Sequence, residues 1–432
     1  MAESEYKPYV PIDKNLTEIT PLVVVLSVVL SVVLGAANAY LGLFAGLTVS
    51  ASIPAAVISM AVLRMFRGNI LQNNIVQTAA SAGESLAAGV IFTIPAMVLL
   101  GSWAEFSYTK TTLIAGFGGL LGVLFTIPLR RSLIIEQKLQ FPEGVATAEV
   151  LKVGDEGGTE VRHIAVAGML GALYKLGSGA KLWAHQAVVA RDLGGATFYL
   201  GSDLSPALVA VGFIVRLNIA ILVFLGGALN WLVAIPAYSA MIGWFGPGNA
   251  ADSMIDHEDL ANSIWSADTR YLGVGAMVVG GLWALIQLRK SLLSGIASNL
   301  KAYKEAKAAG ATSDRTERDI PMQWVFALIG VSLIPLFFMF ETFTHEVWIA
   351  AVMSVMVIIA GFLFSAVAAY MAGLVGSSNN PISGITIVTI LSGSLLLLGL
   401  GLGPKIGPPA AILIGGVVCC AAAIGGDNMQ DL

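Results

Sequence analysis

Apolar residues along this chain neither alternate nor keep to one helical face. They run on in blocks. A transmembrane helix needs about 20 mainly apolar residues. The chain offers twelve candidate blocks, at 21–44, 46–63, 75–100, 111–129, 162–180, 203–215, 217–242, 270–288, 322–340, 346–375, 384–402 and 408–426. Those at 162–180 and 203–215 are short or polar and read as half-helices or re-entrant segments. The polar stretch before the first block includes Glu3, Glu5, Asp13 and Glu18. That block is too long for the apolar region of a signal peptide, so the first span is expected to be an uncleaved anchor. The predicted fold is an all-α, polytopic transmembrane helical bundle.

The polar segments between blocks set the orientation. Arg64 and Arg67 follow the second block, and Arg130, Arg131 and Lys138 follow the fourth. The segment 289–321 carries Arg289, Lys290, Lys301, Lys304, Lys307, Arg315 and Arg318. By contrast, 249–269 carries Asp252, Asp256, Glu258, Asp259 and Asp268 without a Lys or Arg. Cytoplasmic loops retain Lys and Arg. Twelve spans put the basic segments and Arg216, read as a turn residue, on one face and the acidic segment on the other. The expected layout is a cytoplasmic tail at 1–20, an N-terminal transmembrane lobe at 21–288, a cytoplasmic linker at 289–321 with a solvated helix at 298–312, and the start of a second lobe at 322–432.

Composition narrows the class. Of 432 residues, 56% are hydrophobic and only 12% are charged, against roughly 25% in soluble chains. Mean hydropathy is +0.82. A water-soluble or disordered chain is excluded. The 48 glycines fit close helix packing in lipid, and Gly42 with Gly46 form one small-xxx-small pair. The net charge of −4, without a basic stripe, excludes a nucleic-acid partner. Adjacent Cys419 and Cys420 cannot bridge each other without strain. His163, His185, His257 and His345 have no metal-ligand spacing, so neither a metal nor another cofactor is expected. The Asp256-His257-Glu258 run reads as a solvated acidic loop.

A weak internal repeat is visible. Ala39-Tyr40 and Ala369-Tyr370 each close a span and precede a small, polar stretch. Ala80-Ser81-Ala82-Gly83-Glu84-Ser85-Leu86 resembles Ala423-Ile424-Gly425-Gly426-Asp427-Asn428-Met429. The predicted topology runs the two copies in opposite directions, the arrangement of inverted-repeat transporters.

Glu84 is the strongest single candidate. A carboxylate at membrane depth is costly unless it faces a cavity or a partner, or is protonated. It reads as a proton-coupling group or as a structural carboxyl bonded to a neighbouring helix. At 100° per residue, Asn73, Gln77, Ser81 and Glu84 share one stripe. The stripe lines a substrate path or serves as interhelical hydrogen-bond glue. Asn379-Asn380-Pro381-Ile382-Ser383-Gly384 interrupts two blocks, and Pro381 favours a break that exposes backbone groups; residues 376–384 are expected to be non-helical. The segment 136–149, with Pro142, Glu143 and Glu149, reads as a cytoplasmic gate or a solvated connector. Asp203, in Gly201-Ser202-Asp203-Leu204-Ser205-Pro206, reads as a helix cap.

At four of these places the chain resembles a known family. Asn38-Ala39-Tyr40-Leu41-Gly42-Leu43-Phe44-Ala45-Gly46-Leu47-Thr48, Phe141-Pro142-Glu143-Gly144-Val145-Ala146-Thr147-Ala148, Asn379-Asn380-Pro381-Ile382-Ser383-Gly384 and Gly426-Asp427-Asn428-Met429-Gln430-Asp431-Leu432 look like the oligopeptide transporter family. The prokaryotic branch related to the yellow-stripe-like transporters is the best match. The resemblance implies a two-lobed, pseudo-symmetric secondary active importer driven by protons, with small peptides or metal chelates as substrate. In that family the last stretch is internal, so 322–432 is expected to be the start of a second lobe rather than the whole of it.

The resulting expectation is a multi-pass transporter of the plasma membrane (the inner membrane of a Gram-negative cell) with a cytoplasmic N-terminus. Glu84 is expected to couple protons. Asn73, Gln77, Ser81, Asn379, Asn380 and Asp427 are expected to form the substrate site. Partners are the substrate, protons and the lipid bilayer, and a homo-oligomer is compatible with the pattern. A channel is the first alternative and needs a continuous polar pore. An intramembrane enzyme is the second, and it lacks a spaced nucleophile, base or metal set.

Overall fold

The computed structural model describes residues 9–45 except Ile12, then 50–156, 159–204, 217–245, 257–276 and 320–432, with isolated positions between 206 and 286. Gly46, Arg216, the acidic positions 252 and 256 and the basic stretch 289–319, with its expected helix at 298–312, lie outside the described residues. The chain divides into two compact units, Met1–Glu156 with Gly281–Leu432, and Gly157–Gly280.

In the first unit, α1 spans Pro21–Ala45, α2 Ser52–Met65, α3 Ile70–Ile91, α4 Ile94–Leu99, α5 Tyr108–Arg130 and α6 Pro142–Glu156. After the second unit come α11 at Met322–Thr344, α12 at Val347–Val375, α13 at Ile382–Gly399 and α14 at Gly407–Asp431. Among the described residues, eight helical stretches are long and apolar enough to cross a membrane: Pro21–Tyr40, Ile70–Leu99, Tyr108–Arg130, Ala220–Met241, Met322–Thr344, Val347–Val375, Ile382–Gly399 and Gly407–Asp431. The protein is a helical, multi-pass membrane protein. Its outward faces are apolar, as at Val25, Val28 and Val32 on α1 and Leu391, Leu395 and Leu398 on α13. Water would not tolerate such a surface, and lipid does.

Local chemistry shifts several boundaries. Helix α3 starts at Ile70, ahead of the apolar block at 75–100, because Asn69 caps it. The Asn69 side chain accepts from Leu71 N at 3.0 Å and Gln72 N at 3.1 Å, and Gln72 reaches back to Asn69 N at 3.4 Å. Among the described residues, the block at 46–63 contributes α2, which is 14 residues long. The break after α12 covers 376–381, and α13 begins at Ile382, so Ser383 and Gly384 are helical.

Helix α14 is the axis of this unit. Its residues from Pro409 to Asp427 are all buried, with α3, α5, α12 and α13 packed around it. Its small residues permit that. A Cβ added at Gly89 of α3 would lie 2.7 Å from Cys420 Cα, and one at Gly122 of α5 would lie 2.6 Å from the Ala421 carbonyl oxygen. Helices that approach so closely replace side-chain interdigitation with backbone contact. The neighbours also fix direction. Ser81 meets Asp427 and Gln77 meets Asp431, so α3 and α14 are antiparallel. Gly83 abuts Ser31, and Gly42 abuts Ile91, so α3 runs parallel to α1. Gly425 abuts Ser365, and Gly426 abuts Ala368, so α14 runs parallel to α12. The two stretches that resemble each other in sequence therefore sit face to face in opposite directions.

In the second unit, α7 (Thr159–Gly179) leads into an antiparallel hairpin of β1 (Gln186–Leu193) and β2 (Ala196–Asp203). Gly194 and Gly195 make its two-residue turn with φ of +68° and +90°, the positive values such turns demand. Asp203 is thus the last residue of a strand, paired with Gln186, rather than a helix cap. Alternation along Ala196–Asp203 favours the strand. The unit continues with α8 (Leu217–Ala228), α9 (Ile235–Phe245) and α10 (His257–Ile264). Tyr199 of the hairpin packs on Trp231, with ring centroids 4.6 Å apart.

Candidate functional site

Four carboxyl groups gather in the first unit: Glu84 from α3, Glu143 from α6, and Asp427 and Asp431 from α14. Glu84 and Asp427 are 5% and 1% exposed. Glu84 is the fifteenth residue of the 30-residue span Ile70–Leu99, near its middle. No described Lys or Arg forms an ion pair with any of the four. Hydrogen bonds carry them instead.

Asn38 of α1 donates through Nδ2 to Glu84 Oε1 at 2.5 Å and to the Glu84 carbonyl at 3.2 Å. Ser81 Oγ donates to Asp427 Oδ2 at 2.6 Å and also contacts Ser52 Oγ at 2.8 Å. Gln77 Nε2 donates to Asp431 Oδ1 at 2.6 Å, with Ser52 Oγ at 3.4 Å. Asp427 Oδ1 and Asp431 Oδ2 are buried without a partner.

Glu143 closes the opposite side. It accepts from Ser377 Oγ at 2.8 Å, from Ser378 N at 3.3 Å and from Ser378 Oγ. Phe141 N donates to the Gly373 carbonyl at 3.1 Å. With its amide turned so that both ends are satisfied, Gln430 donates to the Ala372 carbonyl at 3.1 Å and accepts from the N–H groups of Glu143 and Gly144, both at 2.7 Å. The start of α6 is thereby tied to the break after α12 and to the end of α14.

Helix starts provide the electrostatic balance. Ser52 opens α2 beside Asp431 and Ser81, Pro142 opens α6 at Glu143, and Ile382 opens α13. A helix N-terminus carries about half a positive charge. Three such ends converge on the carboxyl groups.

Between them lies a cavity of about 80 Å³, lined by Glu84, Asp427, Asn380, Ser50, Ser85 and Ser377, with Ile382 and Ser383 at the α13 start. Its walls are rich in oxygen. That is room for water or a small charged group, whereas small-molecule pockets measure roughly 300–1,000 Å³.

The structure sorts the residues singled out by sequence. Glu84, Asp427 and Asn380 line the cavity. Ser81 and Gln77 stand behind them, holding Asp427 and Asp431. Asn73 shares their stripe and is buried, with Oδ1 unpartnered, but does not line the cavity. Asn379 is exposed and bonds locally to the Val375 carbonyl at 3.1 Å. Asn38, Asp431, Gln430 and the serines at 377 and 378 belong to the site although hydropathy gives them no signal. The one sequence cue to them is their place in the quoted motifs or next to Asn379.

Comparison with known proteins identifies the family. A model of the family described as OPT oligopeptide transporter protein matches residues 18–432. A Haemophilus influenzae protein named "Putative oligopeptide transporter" is 36% identical over 406 residues, covering 89% of this chain and 63% of that protein. The chain thus spans less than two thirds of that relative's length. No solved structure matches it.

Proposed function

Because this chain belongs to the oligopeptide transporter family, we propose that it carries oligopeptides across the plasma membrane by secondary active transport, with Glu84 as the proton-coupling group. The observation that carries this reading is the carboxyl-lined cavity at midspan, enclosed between two antiparallel helices of related sequence. The relative's name supports peptides over metal chelates as the cargo. A carboxyl at this depth with no cationic partner among the described residues takes a proton far more cheaply than it stays charged. When the cavity hydrates toward one side, the same group releases that proton there.

The small cavity volume fits a closed state. Admission of a peptide requires the walls to part. The mobile elements in this reading are α6 and the break at 376–381, which Glu143 pins together. The charge asymmetry of the polar segments supports a cytoplasmic N-terminus.

The test is uptake of labelled tri- to pentapeptides into proteoliposomes under an imposed inward proton gradient, with and without a protonophore. Accumulation above the external concentration that the protonophore abolishes supports the reading. Gradient-independent equilibration would make the protein a channel, and absence of peptide flux would remove the peptide assignment.

A further inference from the structure

The cavity beside Glu84 is lined by two carboxyl groups, the Asn380 amide and five serine hydroxyls, and two of its acceptor oxygens stand without a partner. Asp427 is 1% exposed, and its Oδ1, like Asn380 Oδ1, is buried without a partner. Both residues line the cavity. Four of the nearby donors are spent elsewhere. Asn38 Nδ2 bonds Glu84, Asn380 Nδ2 bonds the Ala368 carbonyl at 3.1 Å, Ser81 Oγ bonds the other Asp427 oxygen, and Ser378 N bonds Glu143. Buried acceptors left unpaired are unfavourable, so a guest that donates to these two oxygens gains by entering.

Charge narrows the guest. Two carboxyl groups line the cavity. The α2 and α13 starts also reach it, through Ser50 and Ile382. Each helix start offsets about half a charge, which leaves roughly one negative charge when both carboxyls are ionised. A single compact cation matches that remainder. At about 80 Å³ the space admits a head group and not a whole peptide. A peptide carries one such group, its α-ammonium, with three donors. Its carboxylate end would be repelled.

We propose that this cavity, with Asp427 Oδ1 and Asn380 Oδ1 as its free acceptors, is the subsite for the α-ammonium group of the transported peptide. The assignment rests on the peptide-transport reading above and adds which end of the substrate enters first and why.

The experiment is calorimetric titration of the purified full chain in detergent with a panel of tri- to pentapeptides, each in free and N-acetylated form. It is repeated with sodium replaced by choline. The free peptides are expected to bind at least about tenfold more tightly than their acetylated forms, the loss of one charge-assisted hydrogen bond. In Asp427→Asn that ratio should collapse toward one. If Asp427→Asn does not yield a monodisperse protein, Glu84→Gln serves as the second variant, with the ratio expected to shrink. Equal binding of free and acetylated peptides would overturn the ammonium subsite while leaving peptide transport standing. An affinity that depends on sodium but not on the free amine would give the charge to an inorganic monocation and likewise overturn it. Failure of every peptide to bind would overturn both readings.

Discussion

Gly376→Ala should be among the most damaging single-methyl additions in this protein, and the reason can be counted. Gly376 ends α12 with φ +90° and ψ 162°, a region almost reserved for glycine that costs a residue with a Cβ about 1–3 kcal/mol. The added Cβ would also sit 2.4 Å from Glu143 Oε1, 2.7 Å from Cδ and 3.0 Å from Cγ. Glu143 cannot swing away freely, because Ser377 and Ser378 hold both its oxygens. Giving up those charge-assisted bonds costs about 1.5–3 kcal/mol more. The expected total is about 2.5–6 kcal/mol. The assay is reversible unfolding in mixed micelles, followed by tryptophan fluorescence. Gly330→Ala in α11 is the control, since nothing lies within 4 Å of its added Cβ; it should change stability by no more than about 1 kcal/mol. In a Glu143→Ala background the Gly376→Ala step should fall to the backbone part, about 1–3 kcal/mol. A cost below about 1 kcal/mol in the parent, or an undiminished cost in the Glu143→Ala background, would refute the link between α6 and the α12 break.

Three further outcomes are expected. Glu84→Gln keeps the acceptor for Asn38 but cannot release a proton, so counterflow exchange of peptide should persist while uptake against a gradient is lost; gradient-driven uptake equal to the parent would reduce Glu84 to a packing residue. Gly122→Ala forces α5 away from the Ala421 carbonyl and should destabilise by about 1–3 kcal/mol in the same unfolding assay; an unchanged midpoint would mean that the contact with α14 is loose. In a Cys-free background, a cysteine at Ser253 should label from outside intact cells and one at Ala308 should not, and the reverse pattern would invert the topology.

The sequence is most informative where an expensive group interrupts a cheap background. Glu84 stands out because it breaks an apolar run and Asp427 because the internal repeat matches it to Glu84, and both line the cavity. The stripe through Gln77 and Ser81 is legible from helical periodicity alone. Their partners are not. Gln77 bonds Asp431, 354 positions away, and no local pattern encodes that distance. Asn379 and Asn380 are neighbours of one type, yet the turn of the backbone points the first outward and the second into the cavity. In sequence Glu143 reads equally as part of a cytoplasmic gate or of a solvated connector, and its burial depends on a missing side chain at Gly376. Among the elements, the long apolar blocks become spanning helices because lipid rewards length and hydropathy together. The hairpin at 186–203 goes unread in a search for long blocks, although Gly194-Gly195 between alternating segments is its local signature.

Under the proposed transport function, the manner of charge compensation would couple a proton to a substrate. A lysine beside Glu84 would neutralise it permanently, and the pair would have no need of a proton or a guest. Helix starts behave differently. They offer only about half a charge each, they are fixed in the backbone, and they cannot be displaced by solvent. Carboxyl groups balanced in this way are tolerable at depth but remain short of full compensation, so binding a proton or an ammonium group lowers their energy and losing it raises it. The α2 and α13 starts belong to helices on either side of the α3–α14 contact. A movement that withdraws one of them would change the affinity of Glu84 and Asp427 for what they hold. Opening the cavity and releasing its occupant then become one event, as the coupling of a driving ion to a substrate requires.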